Sequence, residues 1–216
     1  MYDYVKDKQF LKEVKTICSD IVNQLVQAIN REDKMYVHAY LVGSGAKNLI
    51  TQNASNPIDL DYNLEIIECY GLNIRDGRSI KEYVRKKFNE ILSKNNWSDC
   101  HDSTSAFTTE QRVLCKGNKT PFSIDVCIVR EDINGLHRLI HRKFENIYFD
   151  EYYWNLAPDS RDLSRKVEKL KPYYWLELRD IYLEKKNMYL TRNDHEHNSF
   201  IIYIESVNEA YNKYCR

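Results

Sequence analysis

The chain has no long hydrophobic run and no surplus of either charge. No apolar stretch approaches the roughly 18 residues that a membrane helix needs, and the charged start MYDYVKDKQF is unlike a secretory signal. Lys plus Arg equals Asp plus Glu, at 32 each, so no overall positive field attracts nucleic acid. We therefore expect a cytoplasmic protein without a membrane partner, and the neutral charge disfavours an RNA substrate.

Cysteine and histidine motifs for metals or disulfides are also lacking. The six cysteines are scattered with no CxxC spacing, which is typical of reduced, buried thiols. His137 and His141 lie four residues apart. His195 and His197 lie two apart, and neither pair has a third zinc ligand nearby. We interpret all four as packing or surface residues.

The most informative stretch begins with a short apolar run, residues 37–42, that stops at Gly43-Ser44-Gly45. β-Branched residues at both ends of the run favour a buried strand that leads into a tight turn. Residues 46–50 then predict the first turn of a helix whose backbone N–H groups point back at this glycine turn. Such a turn can hold a phosphate group.

Two aspartates follow on the next predicted strand. A polar loop ends at Pro57, and on the strand of residues 58–67 Asp59 and Asp61 share one face. Carboxylates a few ångströms apart repel one another, so a folded protein that keeps such a pair usually holds a cation between them. A glycine turn followed by two carboxylates suits a triphosphate bound with Mg²⁺.

This stretch resembles the nucleotidyltransferase superfamily typified by DNA polymerase β, over about residues 36–130. That family has a Gly-Gly or Gly-Ser turn, then two acids separated by one hydrophobic residue, and a third acid on a later strand. Here the turn is Gly43-Ser44, the pair is Asp59 and Asp61, and the third acid is Asp125 in FSIDVCIV. A lone acid in such an apolar strand is costly unless a cation balances it, and a salt bridge to a core Arg or Lys is the alternative interpretation.

The resemblance implies a Mg²⁺-dependent nucleotidyltransferase, which moves a nucleoside monophosphate from a triphosphate such as ATP to an acceptor hydroxyl. It implies two Mg²⁺ ions, with Mn²⁺ as an alternative ion. The catalytic residues and metal ligands would be Asp59, Asp61 and Asp125. The nucleotide-binding residues would be Gly43, Ser44, Gly45 and Lys47. Lys47 is equally consistent with a solvated lysine.

Three kinds of function stay open at this point. The first, which we favour, is transfer to a small molecule. The second is transfer to tRNA or protein, as by toxins that share this fold. The third is nucleotide binding without catalysis, which the presence of all three acids disfavours. Neither the base of the nucleotide nor the oligomeric state is indicated.

The pattern of elements predicts an α+β fold. A mixed β-sheet flanked by helices should form a nucleotidyltransferase-like core over residues 1–150, and a helical segment over residues 151–216 should pack on it. Residues 37–42, 58–67 and 121–130 should be neighbouring strands.

Local patterns predict the remaining elements. Helices are expected over residues 7–30 and 78–93, and on the second of these Lys81, Arg85 and Lys86 are interpreted as solvated. The strands expected are an edge strand over 97–102, a hairpin of 111–116 with 121–130, and a strand around His137 and His141 paired with 146–149. The C-terminal helices expected are one capped by Ser160 or Asp162 that ends at Leu170, one over 173–187 and one over 198–214.

Two aromatic triplets stand out in the C-terminal part of the chain. They are Tyr152, Tyr153 and Trp154, and Tyr173, Tyr174 and Trp175. We predict a cleft between the acidic face of the sheet and the C-terminal helices, with at least one of these rings exposed in it to stack on the acceptor. Burial of the rings in the core is the alternative.

Overall fold

The computed structural model describes residues 1–158, 161–194 and 197–216. The predictions for Ser160 and His195 lie outside the described residues. Within them the strands are β1 (Tyr2–Tyr4), β2 (Met35–Leu41), β3 (Thr51–Asn53), β4 (Ile58–Cys69), β5 (His101–Asp102), β6 (Phe107–Thr108), β7 (Phe122–Asp132), β8 (Gly135–Arg142) and β9 (Glu151–Leu156). The helices are α1 (Lys8–Asn30), α2 (Gly43–Lys47), α3 (Gly77–Lys94), α4 (Arg161–Leu170), α5 (Trp175–Thr191) and α6 (Ser199–Tyr214).

Most of the strands belong to one mixed sheet. β4 and β7 lie side by side at its centre and run parallel, whereas the other pairings in this sheet are antiparallel. β2 flanks β4. On the far side of β7, β6 and then β8 pair with successive parts of the strand, and β5 and β9 extend these two edges. The predicted α+β architecture is confirmed, and the strands that contain residues 37–42, 58–67 and 121–130 are neighbours as predicted.

The hydrophobic core lies on one face of this sheet, here called the core face. Side chains alternate along a strand, and β4 places Ile58, Leu60 and Tyr62 in the core. The amphipathic helices α1 and α3 pack their apolar stripes against this face. Each begins at an aspartate that accepts a backbone N–H: Asp7 caps α1 and Asp76 caps α3. The opposite face of β4 and β7 is therefore left to polar residues.

The segment after β2 differs from the prediction. Helix α2 begins at Gly43 itself and ends at Lys47, because Asn48 adopts a left-handed conformation with φ of 54°. The prediction that a helix begins over residues 46–50 is therefore wrong, since those residues contain the end of the helix. Part of the predicted polar loop is also a strand, β3, which pairs with β1.

The predicted hairpin before β7 is wrong. Of residues 111–116, Arg112 alone is bridged to β7 in the described structure, through Phe122. Arg112 exchanges two backbone hydrogen bonds with Phe122, but further along β7 that side of the strand is taken by β6, so the pairing does not extend into a hairpin. The predicted edge strand over residues 97–102 is confined to His101–Asp102.

The strand that contains His137 and His141 forms as predicted, but with a different partner. β8 pairs with β9, whereas Ile147–Phe149 form a 3₁₀ turn. Residues 151–156 consequently belong to the sheet, and the helical part of the chain starts at Arg161. The division of the chain into two domains stays a prediction.

Helices α4, α5 and α6 enclose a second, smaller core, as expected for a helical C-terminal segment. Leu49, which follows α2, is buried in this second core together with Tyr182 and Tyr203. The glycine turn is therefore packed between the sheet and the C-terminal helices. Across the described chain, every helix is too short or too polar to cross a lipid bilayer.

Candidate active site

The three predicted acids lie on the sheet face opposite α1 and α3, here called the acid face. In the parallel pairing of β4 with β7, Asp61 is the direct partner of Asp125, and Asp59 is the partner of Ser123. Paired residues on adjacent strands point to the same face, so the strand register brings the three carboxylates to one side of the sheet. Asp59 is exposed, and the other two are half-buried.

Hydroxyl groups hold two of these carboxylates. Ser123 donates from Oγ to Asp59 Oδ1, and Thr108 on β6 donates from Oγ1 to Asp125 Oδ1 at 2.6 Å. The sequence interpretation missed both hydroxyls. Ser123 could have been found, because it lies two residues before Asp125 and so shares its face. Thr108 had no local signal, because its place beside Asp125 depends on the pairing of β6 with β7.

The electrostatics of the acid face are those of like charges without a counterion. Burial, then the charges of Asp125 and Asp59, raise the pKa of Asp61 to about 6, and Arg138 and Lys47 oppose this only in part. Burial also raises the pKa of Asp125, and the hydrogen bond from Thr108 lowers it. Carboxylates in this state are suited to bind divalent cations.

A Mg²⁺ ion fits this site by charge and by ligand type, since it prefers carboxylate oxygens. Among the described residues, no three His, Cys, Asp or Glu side chains already stand in the arrangement of a metal site. Two of the acids on this face bond to hydroxyl groups of their own sheet instead. A cation would therefore have to draw the carboxylates together against their mutual repulsion.

The glycine turn lies directly against the acid pair. Gly43 has a φ of 61°, and a Cβ atom at this position would collide with the carboxylate of Asp61. The backbone N–H of Val42 donates to the carbonyl of Asp61 at 2.8 Å, which fixes the turn beside the strand. Glycine is required here both for the positive φ and for the close approach.

The other predicted nucleotide-binding residues have different surroundings. Gly45 is buried against Leu41 and Leu60, so its small size serves packing. The side chain of Ser44 is half-buried beside the turn. Lys47 lies with its ammonium 5.0 Å from the centre of the Tyr203 ring, and burial lowers its pKa while the charge of Asp61 raises it. Lys47 is thus a partly desolvated cation near the acid face.

Two further cations were missed by the sequence interpretation. Arg138 pairs with Val129 across β7 and β8, which places it on the acid face. Lys186 on α5 is largely buried, and this burial lowers its pKa to about 8. It donates to Thr51 and has no carboxylate within ion-pair distance in the described part of the chain. Its ammonium also lies 4.2 Å from the centre of the Tyr2 ring.

The six aromatic rings have different environments. Tyr153 is 44% exposed and Tyr173 is 81% exposed, whereas the other four are partly buried. Tyr153 is opposite Ile140 in the β8–β9 ladder, so by alternation it lies on the acid face, as Arg138 does. Its neighbour Tyr152 points to the core face and stacks on His141.

A second group of charged residues, the buried charged cluster, lies on the α3 side of the sheet. Lys81 is 3% exposed, and its ammonium lies 2.7 Å from Asp102 Oδ1. His141 contacts Asp102 through Nδ1 at 2.9 Å and Asp150 through Nε2 at 2.8 Å. The cluster consists of Lys81, Asp102, His141 and Asp150. The interpretation of Lys81 as solvated is therefore wrong, and His141 is buried between the two aspartates.

No family model matches the chain, and no curated protein matches it in sequence. Solved structures do match it. The CdnE cyclic dinucleotide synthase of Elizabethkingia meningoseptica, solved with GTP and Apcpp, aligns with a TM-score of 0.52 and 11% identity over 88% of this chain and 68% of that chain. Escherichia coli CdnC with ATP aligns with a TM-score of 0.55 and 14% identity over 96% and 62%. Escherichia coli DncV in its 3'-deoxy GTP bound form aligns with a TM-score of 0.51 and 9% identity over 82% and 60%.

These matches establish the fold. Cyclic dinucleotide synthases are members of the nucleotidyltransferase superfamily, and the chain has their fold, so the predicted resemblance is confirmed at the level of architecture. The chain spans 60–68% of the length of these three proteins.

Proposed function

We propose that the protein is a metal-dependent nucleotidyltransferase, which moves a nucleoside monophosphate from a nucleoside triphosphate to a hydroxyl group of a small molecule. The observation that carries the proposal is the acid face itself. Three carboxylates lie on one face of the sheet with no cation at ion-pair distance in the described part of the chain, beside a glycine turn that contacts Asp61. The fold shared with cyclic dinucleotide synthases supports the same class of reaction.

In this proposal Asp59, Asp61 and Asp125 are the catalytic residues and hold Mg²⁺, with Mn²⁺ as an alternative. The ion that these residues would hold would supply positive charge for the leaving pyrophosphate and for the acceptor hydroxyl. The acceptor oxygen forms a bond to the α-phosphorus while the bond to pyrophosphate breaks. The hydroxyl proton passes to the carboxylate of Asp125, which acts as the general base.

Phosphate binding is assigned to the glycine turn and to two lysines. The N–H groups of Gly43 and Gly45 and the hydroxyl of Ser44 can donate to phosphate oxygens. Lys47 lies near Asp61 and is partly desolvated, so a phosphate beside the metal would gain its charge. Lys186 is largely buried and has no carboxylate within ion-pair distance among the described residues, and it is assigned a second positive charge for the triphosphate. The cytoplasm is the proposed location, since it supplies nucleoside triphosphates and Mg²⁺.

We further propose that the acceptor is a second nucleotide. The matching CdnE structure holds GTP and Apcpp, which are two nucleotides in one protein. In this chain Tyr153 and Arg138 lie on the acid face beyond β7, and they offer an aromatic ring and a positive charge to such an acceptor.

The test is incubation of the purified protein with each of the four ribonucleoside triphosphates, alone and in pairs, with and without Mg²⁺. We expect a metal-dependent product in which two nucleosides are joined by a phosphodiester, identified by chromatography and mass spectrometry. Pyrophosphate should appear in equal amount. The Asp61→Asn protein should form neither product.

The alternatives give other results. Intact mass spectrometry would show a nucleotide attached to the protein or to added tRNA if the acceptor were a macromolecule. Mg²⁺-dependent thermal stabilisation by a nucleotide, without pyrophosphate release under any condition, would identify a binding module and overturn the proposed reaction.

A further inference from the structure

The short hairpin of β5 and β6 places Thr108 next to Asp125 on the acid face. Thr108 pairs with Asp125 on one side and with His101 on the other. Its side chain is directed to the acid face, where Oγ1 lies 2.6 Å from Asp125 Oδ1. The hydroxyl therefore occupies one of the two carboxylate oxygens and leaves the other free.

This hairpin is held in place by the buried charged cluster. Asp102 on β5 is fixed by the ammonium of Lys81 and by the imidazole of His141, and its carbonyl accepts from Lys143. Ser103 closes the turn through its hydroxyl and its N–H, which both donate to the carbonyl of Ala106. Phe107, which follows, is fully buried. The hairpin that carries Thr108 is thus fixed at Asp102 on β5, at the turn and at Phe107.

We propose that Thr108 is a positioning residue for the metal site, an inference that rests on the proposed function. By donating to Oδ1, Thr108 fixes the rotation of the Asp125 carboxylate and leaves Oδ2 free for the ion that Asp125 and Asp61 would hold. Partners of this kind orient metal-binding carboxylates, and their removal typically costs about 10–100-fold in metal affinity or activity. The rigid hairpin matters because a mobile hydroxyl would not restrain the carboxylate.

The experiment measures the affinity of the nucleotide-free protein for Mn²⁺ by calorimetry, in parallel with transfer activity and the unfolding midpoint. Thr108→Val removes the hydroxyl and keeps the branched shape, and we expect about 10-fold weaker Mn²⁺ binding with a similar loss of kcat. Thr108→Ser restores the hydroxyl and should recover both to within about 3-fold of the starting protein.

Thr109→Val is the matched control. The hydroxyl of Thr109 accepts the N–H of Ile124 at 2.9 Å and joins the same two strands, but it contacts no acid. We expect this variant to lower the unfolding midpoint and to leave the Mn²⁺ affinity of the folded protein unchanged. A structural role for Thr108 would give the same result as this control.

Each failure is recognisable. If Thr108→Val binds Mn²⁺ as tightly as the starting protein while Asp61→Asn does not, the inference is overturned and the proposed function stands. The same holds if folded Thr108→Ser fails to recover the affinity. If the starting protein itself neither binds Mn²⁺ nor transfers a nucleotide, the proposed function and the inference are both overturned.

Discussion

The acid face and the buried charged cluster lie on opposite sides of one sheet. They differ in whether their carboxylates have partners of opposite charge. In the buried charged cluster, the basic side chains of Lys81 and His141 contact Asp102 and Asp150 at 2.7–2.9 Å, so each carboxylate has a basic partner. On the acid face, no cation lies within ion-pair distance of the three aspartates in the described residues, and Arg138 and Lys47 act at longer range.

The two groups of charged residues therefore have different expected roles. A buried cluster whose carboxylates already have basic partners needs no bound ion. Removal of one of its side chains leaves an uncompensated charge in the core, so we expect the cluster to stabilise the fold. Carboxylates that repel one another lower the stability of the fold. Such a set is expected where a bound cation compensates the negative charge. Substitutions in each group separate these two roles.

Asp61→Asn should have the largest effect, which is a loss of activity without a loss of stability. Loss of a carboxylate from the metal site should lower kcat by at least about 10⁴-fold, which corresponds to about 5 kcal/mol. Removal of one of three repelling charges should leave the melting temperature unchanged or slightly higher, while Mg²⁺-dependent nucleotide binding drops. Activity assays and thermal melts check both parts. An unfolded Asp61→Asn protein would assign this residue to the structure instead.

Lys81→Met should show the opposite pattern. The substitution removes the ammonium that faces Asp102 and keeps the apolar stem, so the buried carboxylate loses its closest cation. Breaking a buried ion pair in this way costs about 3–5 kcal/mol. Urea unfolding at neutral pH measures the loss. Lys86→Met, on the exposed side of the same helix, is the control and should change stability by less than about 0.5 kcal/mol. A stable Lys81→Met protein would mean that the cluster does not support the fold.

The acid face could be predicted from the sequence because its signals are local. Asp59 and Asp61 are separated by one residue, and Asp125 stands between apolar neighbours, so strand alternation alone places them on a polar face. The same local argument gave α1, α3 and the three C-terminal helices. The spacing of apolar residues is a property of each segment by itself.

The buried charged cluster could not be predicted, because its members come together only in the folded sheet. Asp102 and His141 are far apart in the chain and meet because β5 and β8 both lie near α3. Lys81 resembles any surface lysine of an amphipathic helix until the position of Asp102 is known. The failed hairpin before β7 has the same cause, since strand partners are decided by competition among all the strands.

The pH dependence of stability should reveal the repulsion on the acid face. The pKa of Asp61 rises from 3.8 to about 6 on folding. A carboxyl group with a raised folded pKa contributes stability that is complete below about pH 4 and is lost as pH rises through about 6, because the folded state binds the proton more tightly. At about 1.4 kcal/mol per pKa unit, the loss amounts to about 2–3 kcal/mol.

The measurement is the unfolding free energy of the metal-free protein and of Asp61→Asn between pH 4 and 7. The two should diverge as pH rises, in favour of the variant, and Mg²⁺ should reduce the difference. Asp150, whose pKa is lowered by the N–H of Phe144 and by His141, contributes with the opposite sign but is present in both proteins. Parallel pH profiles would show that Asp61 does not carry the repulsion.

Two glycine substitutions test the close approach of the turn to the acid face. Gly43 and Gly117 both have positive φ, at 61° and 78°, so alanine at either should cost about 1–2 kcal/mol. At Gly43 the new Cβ would also meet the Asp61 carboxylate, whereas nothing lies within 4 Å at Gly117. We expect Gly43→Ala alone to weaken Mn²⁺ binding, measured by calorimetry. Equal affinities in the two variants would remove the turn from the site.

The smallest expected effect separates two adjacent tyrosines of β9. Tyr152 stacks on His141 at 4.2 Å between ring centres and belongs to the buried charged cluster, whereas Tyr153 lies on the acid face and is 44% exposed. A ring that stacks on a base contributes about 1 kcal/mol or more, so Tyr153→Ala should raise the KM of the acceptor about 5–10-fold and leave donor binding and the unfolding midpoint unchanged. Tyr152→Ala should do the reverse, because it removes packing and leaves the acid face intact. If Tyr153→Ala has no effect on KM and Tyr173→Ala raises it, the acceptor binds at the turn between α4 and α5, and the acid face beyond β7 is not the acceptor site.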